Sequence, residues 1–343
     1  MSTALQALAF VVSTAVAGTA LAAKDFATRP EVRAFIAEMH ERHGFPAKTL
    51  TRTFSRIKPI PAVIQAILPP SDPAVRSWQA YRARFVEPGR IGRGQKFWRE
   101  HHAALEAARE RTGVPEEFIL AIIGIESIYG RHTGNFGTLA ALATLAFDYP
   151  QASAPADARN ATSRAALFRR ELEQLLLLAS ELRRDPLDFK GSYAGALGLP
   201  QFLPSSVRRF AVDGDGDGRV DLATSPADAI ASVANFLKEH GWEKDGPVAV
   251  PASVEGERFA ALIEEGIVPR RTPAELAEFG VISAAAPNLP AALIDLVTPQ
   301  QPVEYRLGYR NFYVLTRYNR SSFYAMAVLD LASELRAGQA LPQ

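Results

Sequence analysis

The sequence predicts a mainly helical α+β protein, on three observations. Capped amphipathic segments follow one another from Pro30 to Gly241, with apolar residues at the spacing that gives a helix one buried stripe. From Pro247 onward the texture changes to short β-rich pieces set among prolines. The chain has 343 residues, 48% hydrophobic and 22% charged, which is ample apolar surface for roughly two to three ordinary cores.

Charge and cysteine content exclude several classes of function. Lys and Arg number 38 against 37 Asp and Glu, a formal net charge of +1, so no global field draws the chain to nucleic acid and none is expected as a partner. The absence of cysteine removes disulfide scaffolds, thiol catalysis, thiolate metal sites and a cysteine-linked lipid anchor.

Residues 1–23 are uncharged, with an apolar stretch from Ala4 to Ala17 and small residues ending Ala22-Ala23. They read as a secretory signal, which places the mature protein in the periplasm. No Lys or Arg precedes the apolar core, so an uncleaved anchor or a misplaced start codon is the alternative. An N-terminal helical domain is expected over residues 24–100. Pro30 opens its first helix, presenting Val32, Phe35, Ile36 and Met39 and stopping at Gly44. A second short helix is centred on Leu50, Phe54 and Ile57; Lys58 to Pro73, rich in proline, reads as an extended connector. Helices are expected over Ser77–Phe85 and Gln95–Arg111.

A core over residues 101–242 follows. Pro115 opens a helix that is apolar all round from Phe118 to Ile125, and therefore buried on every side. A loop leads to Pro150, a poorly ordered stretch covers Gln151–Thr162, and a long amphipathic helix covers Ala165–Arg184. Loops fill Gly191–Asp221, and Ser225, Pro226 and Asp228 start a helix with Ile230, Val233, Ala234 and Leu237 inward. A small β-containing subdomain is expected over 243–310, with Val248–Val250, Leu293–Val297, Val303–Leu307 and a further strand at Tyr313–Thr316. A C-terminal segment, 311–343, returns to the core through a helix at Ser321–Leu335.

Glu126 is the first candidate for chemistry. It lies four residues after Ile122 and seven after Ile119, on their buried face. Desolvation there raises a carboxyl pKa, as a general acid requires. The bland alternative is a helix-closing Glu in a salt bridge, for instance with Arg131.

The stretches Gly124-Ile125-Glu126-Ser127-Ile128-Tyr129-Gly130-Arg131 and Gly191-Ser192-Tyr193-Ala194-Gly195-Ala196-Leu197-Gly198-Leu199-Pro200-Gln201-Phe202 resemble the membrane-bound lytic murein transglycosylase B family, glycoside hydrolase family 103. So do Ser232-Val233-Ala234-Asn235 with Gly241-Trp242, and Asn311 to Asn319. The likeness runs from about Phe35 to Asp330. It implies a lysozyme-like core and an enzyme that cleaves the β-1,4 bond between N-acetylmuramic acid and N-acetylglucosamine in peptidoglycan glycan strands, with Glu126 as sole acid and base. It further implies that the muramic C6 hydroxyl, not water, closes a 1,6-anhydro ring, needing no second carboxylate. By the same resemblance Ser192, Gln201 and Asn319 line the cleft, with Tyr81, Tyr318 and Tyr324 around it. Read alone, Ser192 and Gln201 are ordinary in a Gly-rich loop and Asn319 could sit near a helix N-cap.

Asp213, Asp215, Asp217 and Asp221 fall at positions one, three, five and nine of an EF-hand loop, with Arg219 offering its carbonyl at seven. Position twelve is Thr224, so Asp228 on the next helix is the expected substitute ligand for a structural Ca2+; the family is known for such a site. A solvated turn-rich loop is the alternative. His101 and His102 lack the order of a zinc-peptidase motif and read as helix-surface residues. Two departures from the family stand out: the insert 151–162 after Tyr149-Pro150, where relatives often carry arginines, and Phe236 where relatives often carry Tyr.

The competing functions are a muramidase in which water captures the intermediate or another acid such as Asp148 is recruited as partner, and a non-catalytic, calcium-dependent wall-binding scaffold. No organic cofactor is expected, and a monomer is.

Overall fold

The structure of the protein is a computed structural model that describes residues 25–68, 77–150 and 155–339, the side chains of 155–161 excepted. The expected export segment, 1–23, lies outside these residues. The chain forms two compact units that divide between Pro59 and Ile60.

In the first unit a 3-10 turn, Phe26–Thr28, precedes α1 (Pro30–His43) and α2 (Ala47–Ser55). Pro30 takes the first helical position, where its missing N–H costs nothing. Gly44 ends α1 at φ 72°, the left-handed geometry that glycine reaches without a Cβ clash. Phe35 and Phe54 meet edge to face with centroids 6.0 Å apart, and Val32, Met39 and Phe26 are buried.

The second unit begins with α3 (Pro61–Ile67), in place of the expected extended connector. Pro61 is again a helix opener: prolines that read as breakers are compatible with a first turn. Next come α4 (Trp78–Phe85), α5 (Pro88–Glu100) and α6 (His102–Thr112). The single helix expected over Gln95–Arg111 is thus two, interrupted at His101, whose φ of −123° and ψ of 25° are not helical. His101 is half-buried with its ring on Phe97, 4.3 Å between centroids, so it is a packing residue and not a helix-surface one. The expected boundary at residue 100 falls inside this unit, because α4 and α5 pack on the C-terminal helix and α5 packs on α7 (Glu116–Ser127).

After α7 a two-residue strand, β1 (Phe136–Gly137), leads into α8 (Thr138–Phe147), which replaces part of the expected loop to Pro150. Its sequence, Thr-Leu-Ala-Ala-Leu-Ala-Thr-Leu-Ala-Phe, carries no polar stripe, so periodicity gives it no signature; it is helical because it is buried on most of its faces. The long α9 (Pro155–Glu181) starts inside the stretch expected to lack order. β2 (Lys190–Gly191) pairs antiparallel with β1, and α10 (Pro204–Phe210) interrupts the loops before α11 (Pro226–Glu239). The Ser225 hydroxyl accepts from Asp228 N at 3.2 Å, the cap that its spacing predicts.

The sheet subdomain contains β3 (Ala249–Val254), α12 (Ala260–Glu264), α13 (Pro273–Ala277), β4 (Val281–Ile282), β5 (Ala292–Leu296) and β6 (Glu304–Gly308), antiparallel in the order β4-β3-β6-β5. One apolar cluster, with Leu262, Leu276, Leu293 and Leu307 at its centre, holds it. Tyr313–Thr316 is not a strand but part of α14 (Arg310–Tyr318): its β-prone residues place Phe312 and Leu315 with Thr316 at helical spacing, and burial overrides propensity. The chain closes with α15 (Ser322–Gln339), which packs along α7, α5 and α4.

Candidate active site

Helix α7 carries the candidate acid. Glu116 and Glu117 occupy its first turn, where a carboxylate suits the positive end of the helix dipole. Ile119 to Ile123 are all fully buried. Its far end is an uncommon turn: Ile128 (φ 52°), Tyr129 (φ 56°) and Gly130 (φ 86°) are consecutive left-handed residues, the first of them β-branched. The Ser127 hydroxyl steadies that turn, accepting from Gly130 N at 3.0 Å and donating to Ile123 O at 3.3 Å. The Tyr129 ring fills a slot in which Gly94 of α5 and Gly124 of α7 face it; a methyl group on either glycine would collide with the phenol.

Glu126, half-buried at the end of this helix, accepts a hydrogen bond from the Tyr324 hydroxyl of α15 at 2.7 Å, on Oε1. Burial pushes its carboxyl up from the ordinary value to about 7, and the Tyr324 hydroxyl works against that rise by bonding the charged form. Among the described residues no guanidinium grips it, and the salt bridge with Arg131 does not form. No second carboxylate among the described residues contributes to its shift either. Asp148 ends α8 as its C-terminal cap.

Three tyrosines feel the Glu126 charge. Burial raises Tyr324, Tyr318 and Tyr81, and the Glu126 carboxylate raises each further. Tyr318, from the end of α14, stacks on Tyr324 with centroids 6.3 Å apart and planes 13° apart, and donates to Pro200 O at 2.6 Å. Tyr81, from α4, packs on Phe85 and Phe323. Helices distant in sequence thus converge on one carboxyl.

The loop between β2 and α10 supplies Ser192 and Gln201. Gln201 adopts a left-handed φ of 51° and its amide donates to Thr133 O at 3.1 Å and Gly198 O at 2.8 Å, tying this loop to the one after Glu126. The Ser192 hydroxyl accepts from Ala194 N and Ala196 N, holding the Gly-rich turn. Both residues line an open cavity of about 340 Å³ together with Arg131, His132, Asn135 and Tyr193. Those last four were not among the sequence candidates for the site, although Arg131 ends the Glu126 motif and His132 directly follows it. Asn319 is exposed at the C-terminal end of α14, beside Tyr318, and Ser321, not Asn319, caps α15 by accepting from Tyr324 N at 3.3 Å. Phe236 is buried against Tyr318 at 4.8 Å and His240 at 4.1 Å between centroids, so the missing hydroxyl leaves an aromatic contact in place.

The acidic loop gathers one carboxylate oxygen each from Asp213, Asp215 and Asp217 within 4.8 Å of one another. Asp213 also accepts from the amides of Gly218 and Gly216, which hold its carboxyl below the usual range. Oxygen-only donors with the Arg219 carbonyl at position seven suit a hard cation such as Ca2+. Asp221 is engaged differently, accepting from Ala223 N, Thr224 N and the Thr224 hydroxyl. Asp228, 1% exposed, accepts from Gly214 N at 2.7 Å on one oxygen and Asp221 N at 2.6 Å on the other, so it fastens the loop to α11.

Residues 27–333 match the transglycosylase SLT domain family. The chain is 37% identical over 333 residues to membrane-bound lytic murein transglycosylase B of Escherichia coli (strain K12), covering 90% of this chain and 83% of that protein. Among solved structures it is similar to soluble lytic transglycosylase SltB1 from Pseudomonas aeruginosa, with a TM-score of 0.81 and 40% identity over 91% of this chain and 100% of that one. It is also similar to Escherichia coli lytic transglycosylase Slt35 in complex with calcium (TM-score 0.77, 36% identity, 92% and 96% coverage). A third is SltB3 from Pseudomonas aeruginosa in complex with NAG-anhNAM-pentapeptide (TM-score 0.73, 30% identity, 91% and 80% coverage).

Proposed function

The chain belongs to the transglycosylase SLT domain family and is a lytic transglycosylase acting on peptidoglycan, and from that premise we propose that Glu126 is its single acid and base. In this reading the Glu126 carboxyl gives its proton to the glycosidic oxygen between N-acetylmuramic acid and N-acetylglucosamine as the bond to C1 breaks. The carboxylate then takes the proton of the muramic C6 hydroxyl, whose oxygen bonds to C1. A 1,6-anhydro end forms, no water is consumed, and Glu126 returns protonated. The observation that carries this is a half-buried carboxyl raised to about 7 that, among the described residues, accepts a hydrogen bond from the Tyr324 hydroxyl and meets no cation. One group so poised exists in both forms near neutrality and can serve each half of the reaction. The internal hydroxyl supplies a high effective molarity.

Ser192 and Gln201 position the sugar from the cavity that they line, Tyr81, Tyr318 and Tyr324 wall the acid, and Asn319 stands at the end of α14. Ca2+, bound by Asp213, Asp215, Asp217 and the Arg219 carbonyl, would stiffen the loop before α11; Asp221 and Asp228 set that loop's shape through backbone amides. Its contribution is charge neutralisation among clustered carboxylates, with no part in bond cleavage. The periplasm is the compartment that fits this substrate and the apolar residues 1–23; among the described residues no helix is long and apolar enough to cross a membrane.

The test is Glu126→Gln, which keeps the shape and the Tyr324 contact but holds no transferable proton. Turnover of purified sacculi should fall by about a thousandfold or more. Activity within tenfold of the parent would remove Glu126 from the mechanism.

A further inference from the structure

A second cavity, of about 230 Å³, opens where the sheet subdomain meets the start of α14. Pro247, Val268, Leu289 and Pro290 give it apolar walls, and Glu243 and Arg310 lie on its lining as opposite charges. Among the described residues neither of these two side chains makes an ion pair. Arg310 is nonetheless held in place: Nε donates to Gly241 O at 3.3 Å and Nη2 to His240 O at 3.2 Å, which leaves Nη1 free for a ligand. The Glu243 side chain is exposed, and its backbone is engaged by Asn311 and by Gly246 N.

The size is below the roughly 300–1,000 Å³ of sites for drug-sized ligands, so the cavity suits one amino-acid side chain. Its walls suit methylenes, and its two charges suit an ammonium and a carboxylate. We propose that this cavity takes the diamino acid of a wall peptide stem, an aliphatic residue with an ammonium for Glu243 and a carboxylate for Arg310.

The proposal rests on the peptidoglycan reading above and adds a place for the peptide that the glycan carries. Arg310 and Tyr318 sit at opposite ends of α14, about 12 Å of helix apart. Three extended residues of a stem reach about 10 Å, so a stem attached to a sugar beside Tyr318 spans most of α14. Arg317 faces the Tyr313 ring at 4.4 Å, and Arg310 approaches the same ring at 6.0 Å. A further cation therefore lies along that path for the other stem carboxylates.

Calorimetric titration of the full chain carrying Glu126→Gln, with a free stem tripeptide ending in the diamino acid, tests this without turnover. Adding Glu243→Gln or Arg310→Gln should each weaken binding about tenfold, the loss expected for one charge-assisted hydrogen bond. Glu243→Gln alters an exposed side chain with no internal partner, so its result is free of folding effects. In the active enzyme, Glu243→Gln should raise KM on peptide-bearing strands and leave KM on peptide-stripped strands unchanged. No tripeptide binding, or equal binding in all three proteins, overturns the proposal. Failure of the Glu126 reading would look different: tripeptide binding would keep its dependence on Glu243 and Arg310 while Glu126→Gln retained turnover.

Discussion

The Tyr324 hydroxyl donates to Oε1 of Glu126 at 2.7 Å, joining α15 to the end of α7 at the carboxyl that burial has raised to about 7. Two opposed effects meet there, desolvation favouring the neutral acid and the phenol favouring the carboxylate. Tyr324→Phe removes only the second. Glu126 should become a weaker acid, and the alkaline limb of kcat/KM against pH should move up by about 1 unit, given that one unit corresponds to about 1.4 kcal/mol and a hydrogen bond to a charge to about 1.5 or more. A profile that stays put would mean that the hydroxyl does not bond the ionised acid in the free enzyme.

The same shift makes a prediction for stability. Glu126 holds its proton more tightly folded than unfolded, so between about pH 4.5 and 7 the native state binds more protons and stability falls as pH rises. Above pH 7 the full cost, up to about 3 kcal/mol, is in place. Glu126→Gln has no such proton to lose. It should match the parent near pH 4 and exceed it at pH 8, as read from urea unfolding at the two values. Equal differences at both would contradict the raised pKa.

Gly124→Ala should weaken both fold and activity. The new methyl meets the Tyr129 ring two residues before Glu126, in a slot that Gly94 closes from α5. Overpacking of this kind costs about 1–3 kcal/mol, and any relief by ring movement disturbs the left-handed turn after Ser127. Thermal melting together with kcat on sacculi checks this; a variant unchanged in both would show that the slot has spare room.

Much of this was legible in the sequence. The buried helix ending at Glu126, the Ser225 cap and the acidic loop follow from periodicity, capping chemistry and spacing. The misses share a physical cause. Pro61 opens a helix where the prolines of Lys58–Pro73 read as an extended connector, α8 has no polar stripe to betray its period, and α14 is built from residues that favour strands in isolation. Within the site, Glu126 and its motif stood out, but the Tyr324 bond joins residues 198 apart and no local pattern encodes it. The backbone amides that Asp228 accepts on both oxygens were also closed to sequence reasoning, because they come from residues 14 and 7 positions away in a loop with no regular period.

Chelation should lower the melting temperature of calcium-loaded protein. A ligand that binds the folded form alone stabilises it by about 2.7 kcal/mol at a hundredfold excess over Kd. Asp213→Ala and Asp215→Ala should remove the response to chelator, because they delete two of the three clustered carboxylates. A chelator response that persists in both variants would place the ion elsewhere.

The central claim, one carboxyl and no water, is tested most directly by digesting purified sacculi in ¹⁸O-labelled water and weighing the released muropeptides. New muramic ends should be lighter than hydrolysed ends by one water and carry no label. Hydrated, labelled ends, formed with Glu126 intact, would contradict it.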